Sequence, residues 1–483
     1  MKFRNFTAFL LCILIFFTSA LSVGADAASI PNAIDTEDGE YVAYFYDQLL
    51  DYVIRHYKYD ITKEELLSAA VNKLLTDHPE YLTELGKGMF DALDENSTFY
   101  TAEEFTDVYA DVSGVYVGIG IHVSQDGTKI VLGEPIEGSP AEGSGLQVGD
   151  VIIAVDGEDV TDYALDKVTS MIKGEAGTSV SITVLRNSIE YTYDLTRAEI
   201  RINPITYYTI DGADAGYVKI SAFNASTEEA FDDAMKYFSD NGISNIVLDL
   251  RNNIGGYLNA AVAVASYFVP DGSVVVTEEH KDEKKNKSHY SKDTDNKFKA
   301  VVLVNEYSAS ASEVVSSALR DYGTGTLVGK RTYGKGTVQD TIHIRSDHYL
   351  WLTVAEYYTP SHTPIHKVGL EPDYYVTNTT EKFDMSTLTK YDILRVLNIG
   401  DTGEDVRAVK ERLKILGYQI TVDDVYDEKT ADIVTKFQTA TELFPYGTAD
   451  ITTQVKINDV IADSNVTVDN QYEKAVELVK NLK

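Results

Sequence analysis

Cysteine is almost missing from this 483-residue chain: the single one, Cys12, lies in an apolar run near the N-terminus. Disulfides and cysteine metal sites are thereby excluded, and the cores must hold by ordinary burial. Positive charge is scarce as well. Against 76 Asp and Glu stand 42 Lys and Arg, a formal net charge of −34. Nucleic acid and anionic membranes, which demand a basic face, are therefore excluded as expected partners. No His-Glu-x-x-His pattern occurs, and none of the nine histidines stands in a recognisable nucleophile motif. Neither a metal nor an organic cofactor is expected.

What is present begins with Lys2 and Arg4, an apolar run from Phe6 to Leu21, and the small-residue stretch Val23-Gly-Ala-Asp-Ala27. This order is that of an export signal over residues 1–27, with cleavage expected after Ala27; uncleaved, the run would act as a membrane anchor. The expected location is exported: extracellular, cell-wall associated or periplasmic. No Leu-x-Gly/Ala-Cys lipid-attachment pattern surrounds Cys12.

The length calls for several cores. From Glu40 to Leu93 apolar residues recur at helical spacing, as in Tyr46, Leu49, Leu50 and Val53, so residues 28–106 are expected to be a helical prologue. Val115 to Val123 reads as a glycine-interrupted strand. Gly138-Ser-Pro-Ala141 follows, where Ser139 can cap and Pro140 can open a short helix. Val148 to Gly157 ends in an Asp-Gly turn, and Ser179 to Arg186 alternates as a strand. This order resembles a PDZ domain, assigned to residues 107–199. Its free strand edge can add a peptide strand, and amides in the turn Val117, Gly118, Ile119 and Gly120 can hold a terminal carboxylate.

Two strand-turn-helix units come next. Asn245 to Leu250 leads through Arg251-Asn-Asn-Ile-Gly-Gly256 into a helix from Tyr257 to Phe268; Ala300 to Val304 leads into a helix from Ser310 to Asp321. Successive units of this kind imply an α/β core with parallel strands and reactive turns at their carboxyl ends. His280 to Lys299, rich in Lys, Asp and Asn, reads as a solvated hairpin or loop.

Ser310 at a helix start would meet unpaired amides and the positive dipole end, with Ala311 as one oxyanion donor; the other comes from the Gly255-Gly256 pair of the facing turn, with Gly256 preferred of the two. Lysine can replace histidine as base if burial lowers its pKa. Lys335, read as lying in a glycine-framed strand, has Gln339 four residues on as a neutral orienting partner.

These residues carry a resemblance. Asp249-Leu-Arg-Asn-Asn-Ile-Gly-Gly256, Asn305-Glu-Tyr-Ser-Ala-Ser-Ala-Ser-Glu313, Tyr333-Gly-Lys-Gly-Thr-Val-Gln339, Tyr357-Tyr-Thr-Pro-Ser361 and Gly369-Leu-Glu-Pro-Asp373 are similar to the C-terminal (tail-specific) processing peptidases, exported Ser-Lys enzymes with a PDZ domain. The resemblance implies Ser310 as nucleophile, Lys335 as base and Gln339 as support. Ser308 and Ser312 would be framework or alternative nucleophiles, and Asp321 an acidic position of functional or helix-end character. Ile254 departs from the family's proline and Lys173 from its arginine. A second stretch, Leu397 to Tyr418 with Asp427 to Ala431 and Phe437-Gln438, resembles the three-helix peptidoglycan-binding module. Its Val406, Val409, Leu413 and Leu416 form a core face.

The expected architecture is multidomain α/β and α+β: N-terminal helices, the PDZ β domain, an α/β peptidase core over 200–395, a small three-helix domain over 396–462, and a C-terminal helix over 463–483 that returns to the core. The expected activity is serine endopeptidase, acting on protein or peptide substrates with exposed C-termini. Peptidoglycan, a second copy of the chain (a homodimer through prologue and C-terminal helix) and an activator protein are further partners in this reading. The alternatives are a latent PDZ and cell-wall-binding scaffold and, behind it, a peptidoglycan-hydrolysing enzyme.

Overall fold

The computed structural model describes residues 39–294, 298–344, 348–390, 393, 395–418 and 420–482. The export signal over 1–27 and Cys12 lie outside the described residues. No helix among those described is long and apolar enough to cross a membrane. The chain divides into two units, Met1–Tyr100 and Thr101–Lys483.

The first unit carries helices Gly39–His56, Lys63–Asp77 and Leu82–Phe90. Thr62 and Glu65 close a reciprocal capping box at the start of the second, so two orphan amides are satisfied locally. Gly86 is required by packing, because a Cβ there would lie 2.6 Å from the Phe99 ring.

The second unit opens with helix Ala102–Ser113, ended by Gly114 in the left-handed region. A β domain follows. Its sheet runs Ile121–Asp126, Lys129–Pro135, Val151–Val155, Ser179–Arg186 and Ile189–Thr196 in spatial order, and Ile130, Leu132, Ile152, Val168, Ile182 and Val184 fill its core. The strand Ile121–Asp126 stands at the sheet edge with helix Leu165–Ile172 beside it. One expectation fails here: Ser139 caps no helix, and residues 138–145 are turns. Its hydroxyl donates instead to the Gly120 carbonyl at 2.9 Å, a backbone partner that wins over a helix start.

The α/β core is a six-stranded sheet in the order Ile205–Ile210, Ala215–Ile220, Asn245–Asp249, Lys299–Val304, Gly325–Gly329 and Tyr374–Tyr375. Only the first pair is antiparallel. Strand alternation divides its apolar residues between two faces. Ile246, Leu248, Ala300, Val302 and Val304 meet Phe231, Val264 and Val315, residues of the helices Thr227–Asp240, Leu258–Ser266 and Ala311–Asp321. Val247, Val301, Leu303 and Val328 meet Ala475 and Val479 of the terminal helix Asn470–Val479. Each fully buried Val or Leu of this kind contributes roughly 1.5–3 kcal/mol, which anchors the last helix of the chain under the strands that carry the site.

The segment from His280 is a hairpin, Val274–His280 against Lys287–Tyr290, in the same sheet as the pair Thr337–Ile344 and His348–Tyr358. Between the last core strand and the terminal helix stand three helices, Glu404–Ile415, Glu428–Ala440 and Ile451–Asp463. Val406, Val409, Leu413, Phe437 and Ile457 form their separate core.

Candidate active site

Ser310 caps the helix Ala311–Asp321 with φ of +55°, a conformation that costs a non-glycine residue on the order of 1–3 kcal/mol and persists only where neighbours enforce it. They do. The Ser310 amide donates to Glu313 Oε2 at 2.9 Å. Glu313 is fully buried and collects three more donors: Thr332 Oγ1 at 2.5 Å and the Gly334 amide at 2.7 Å on Oε1, and the Lys335 amide at 2.9 Å on Oε2. Ser310 and Lys335, 25 residues apart in sequence, thus donate their amides to one oxygen. The two nitrogens cannot be farther apart than twice 2.9 Å. Burial pushes the Glu313 carboxyl above its usual range, and the four hydrogen bonds pull it back only in part.

Lys335 is half-buried in the connection between Gly325–Gly329 and Thr337–Ile344, two residues before the strand that was expected to contain it. The connection is drawn out of the sheet by Glu313 at Gly334 and Lys335, and by Tyr357, whose amide donates to the Gly336 carbonyl at 2.6 Å. Gly336 lies against the His366 backbone, whose nitrogen would be 2.2 Å from an added Cβ. Gln339 directs its amide nitrogen to the hydroxyls of Thr337 and Thr353, at 2.9 and 3.1 Å.

The glycine turn Arg251–Gly256 is stitched to the serine loop. Asn253, fully buried, donates to the Ile220 carbonyl and accepts from the Gly255 amide; its own carbonyl accepts from the Ala309 amide and from Ser312 Oγ. Ser308 Oγ donates to the Leu250 carbonyl at 2.8 Å. Both flanking serines are buried with their hydroxyls on carbonyls, an arrangement that suits framework residues. Gly255 touches the serine: a Cβ on it would sit 2.7 Å from Ser310 Cβ. Gly256 has φ of +135° and backs onto the Phe223 carbonyl, 2.1 Å from an added Cβ. No hydrogen bond among the described residues engages the amides of Gly256 or Ala311. Ile254 stands 74% exposed between these fixed points.

Asp321 accepts from the Ser361 amide at 2.9 Å, tying the helix end to the Tyr357–Ser361 segment. Asp249 takes the Tyr217 hydroxyl and the Arg251 guanidinium. Burial alone would lower the Arg251 pKa, but its hydrogen bonds to Asp249 and Asp469 outweigh it and raise the value.

In the β domain, Val117 and Gly118 belong to a strand paired with Ala198–Arg201, which leaves Ile119 and Gly120 as the turn. Their carbonyls accept from the amides of Ala141 and Ile136, and no hydrogen bond among the described residues engages their amides. The turn opens onto the free edge of Ile121–Asp126. Lys173 borders a separate cavity of about 260 Å³ with Asp111 and Tyr116, while the guanidinium holding the end of helix Leu165–Ile172 is that of Arg197, on the Ile172 and Met171 carbonyls. Among the described residues no group of three or more His, Cys, Asp or Glu is placed to hold a metal.

Glu313 and Asn253 were not singled out from the sequence. Glu313 had a signal, since Ser310-x-x-Glu313 is a capping-box pattern; its reach to Lys335 had none.

Three segments match known family models: residues 108–185 a PDZ domain, residues 214–376 peptidase family S41, and residues 402–457 a putative peptidoglycan binding domain. The carboxy-terminal processing protease CtpA of Bacillus subtilis is 30% identical over 411 residues, 84% of this chain and 86% of that one. A probable CtpA-like serine protease of Staphylococcus haemolyticus is 33% identical over 396 residues, 81% of this chain and 77% of the relative. Among solved structures, a photosystem II D1 C-terminal processing protease is 30% identical and covers 69% of this chain and 92% of its own, with a TM-score of 0.41.

Proposed function

The chain belongs to the carboxy-terminal processing proteases of peptidase family S41, and we propose that it is an exported endopeptidase working through a Ser310–Lys335 dyad. The observation that carries this reading is the Glu313 carboxylate, which takes the amides of Ser310 and Lys335 on one oxygen. A substrate C-terminus adds as a strand to the edge Ile121–Asp126, its carboxylate on the Ile119 and Gly120 amides. Neutral Lys335 removes the Ser310 hydroxyl proton as Oγ attacks the scissile carbonyl, and the Gly256 and Ala311 amides receive the oxyanion. Collapse breaks the C–N bond, the lysine proton leaves on the amine, and an acyl-enzyme remains. Water then attacks the acyl carbon and gives one proton to Lys335; collapse breaks the bond to Ser310 Oγ, Lys335 returns the proton to that oxygen, and the acid leaves with Ser310 and neutral Lys335 restored. Gln339, with its nitrogen on two threonines, has its carboxamide oxygen left to orient the lysine.

The peptidoglycan-binding-like module fits retention at the cell wall. Residues 1–27 supply the export signal of this reading. The test is trapping: a fluorophosphonate should label the mature chain at Ser310, and a Lys335→Ala variant should lose that labelling. A chain that stays unlabelled while folded would favour the latent scaffold.

A further inference from the structure

The chain leaves the peptidase sheet after Tyr374–Tyr375, passes through the three-helix module and comes back as the terminal helix. Exit and return are clamped as an antiparallel ribbon, Thr379–Lys382 against Asn465–Val468. The first residue beyond this ribbon is Asp469. Its Oδ1 accepts from the Tyr472 amide at 3.1 Å, capping the terminal helix, and from Arg251 Nη1 at 2.6 Å. Gln471 adds its Oε1 to the same nitrogen at 3.2 Å while its own amide holds the Val376 carbonyl. Asn470 donates to the Thr377 carbonyl and to Thr379 Oγ1. Both strands of the ribbon therefore fix where Asp469 stands.

Arg251 is the first residue of the glycine turn. Its Nε and Nη2 are held by Asp249, which is buried and also takes the Tyr217 hydroxyl. Asp249 sits on a core strand and sets the near side of the guanidinium. Nη1 is held from outside the strand, by Asp469 and Gln471. Charge-assisted bonds of this kind are about twice as strong as neutral ones. Five residues after Arg251 comes Gly256, behind Asn253, whose carbonyl carries the serine loop.

We propose that Asp469 is a positioning residue of the peptidase site. It holds Arg251, and through it the glycine turn that presents the Gly256 amide, so that the return of the chain from the wall-binding-like module becomes a condition of turnover. The inference rests on the dyad reading above for its kinetic consequence, though not for its structural one.

Asp469→Asn separates the two duties of this side chain, because asparagine still caps a helix but carries no charge for Arg251. In the mature full-length chain, kcat on an unstructured protein substrate should fall roughly 10- to 100-fold with KM within about twofold. Amide hydrogen exchange over residues 251–257 should quicken at least about tenfold while residues 470–479 stay protected. Glu477→Gln, on the same helix but paired with Lys474, should change neither. Wild-type kcat together with wild-type exchange over 251–257 would overturn the proposal. If residues 470–479 also lose protection, Arg251→Lys decides, since it leaves the helix cap intact: the same kcat loss supports the proposal, and unchanged kcat and exchange overturn it. If the wild type cleaves nothing, the dyad reading fails by itself, and exchange over 251–257 in Asp469→Asn still decides the role of Asp469.

Discussion

Two glycine turns carry backbone amides that no hydrogen bond among the described residues engages, and they are held in different ways. The turn Arg251–Gly256 is fixed by buried side chains: Asn253, Ser308 and Ser312 bond its backbone and that of the serine loop. Its glycines are obligatory because other atoms occupy the Cβ positions, Ser310 Cβ for Gly255 and the Phe223 carbonyl for Gly256. The turn at Ile119 and Gly120 is held by two backbone amides and one serine; Gly120 is obligatory too, with Ser139 Cβ 2.2 Å from an added Cβ, so the difference lies in how few bonds hold the backbone. In the proposed mechanism the first turn meets a developing oxyanion, which needs donors that do not reorganise, and its over-determined backbone fits that role. In the same reading the second turn accepts a peptide strand, for which an open edge and fewer constraints suffice.

Substitution at the two turns should separate kcat from KM. Gly256→Ala, at φ of +135° with the Phe223 carbonyl in the way, should lower kcat about 10²- to 10³-fold, the usual cost of losing an oxyanion donor; steady-state kinetics on a protein substrate checks it. Glu313→Gln should lower kcat about 100-fold and destabilise the fold by roughly 2–4 kcal/mol, because an amide cannot accept from all four donors. Denaturant unfolding measures the second effect. The pH dependence has a defined sign. The Glu313 carboxyl is raised above its ordinary 4.5, so the folded state binds that proton more tightly than the unfolded one. Its contribution to stability is therefore greatest below 4.5 and declines as pH rises from 4.5 to the folded value. Glu313→Gln should remove that decline.

Gly120→Ala places a Cβ 2.2 Å from Ser139 Cβ and should raise KM for a substrate with a free C-terminus about tenfold with kcat unchanged. A kcat loss there instead would break the division between docking turn and reacting turn. The smallest effect belongs to His366, which packs its backbone on Gly336: His366→Ala should leave kcat within about threefold, since lysine is the base of this mechanism. A loss of 100-fold would bring histidine back.

Much of this was legible in advance, for reasons that local chemistry explains. The apolar runs in Asn245–Asp249 and Lys299–Val304 and the helix starts that follow them are short-range signals; Ser310 stands at the second of those starts, and Lys335 between Gly334 and Gly336 ahead of the strand Thr337–Ile344. What escaped reading acts at long range. Glu313 looks like an ordinary capping partner of Ser310, yet its other oxygen reaches Thr332 and Gly334. Asp469 bonds a residue 218 positions away. Ser139 was misread because serine before proline suits a helix start and a turn equally, and only the Gly120 carbonyl decides between them.

The central claim is that Ser310 and Lys335 act as one pair. The measurement that tests it most directly is hydrolysis of an unstructured protein with an apolar C-terminus by the mature chain, beside Ser310→Ala and Lys335→Ala. The account predicts cleavage by the wild type and a loss of about 10⁴-fold or more in either variant, with no further loss in the double variant. Cleavage that survives Lys335→Ala in the folded chain would contradict it.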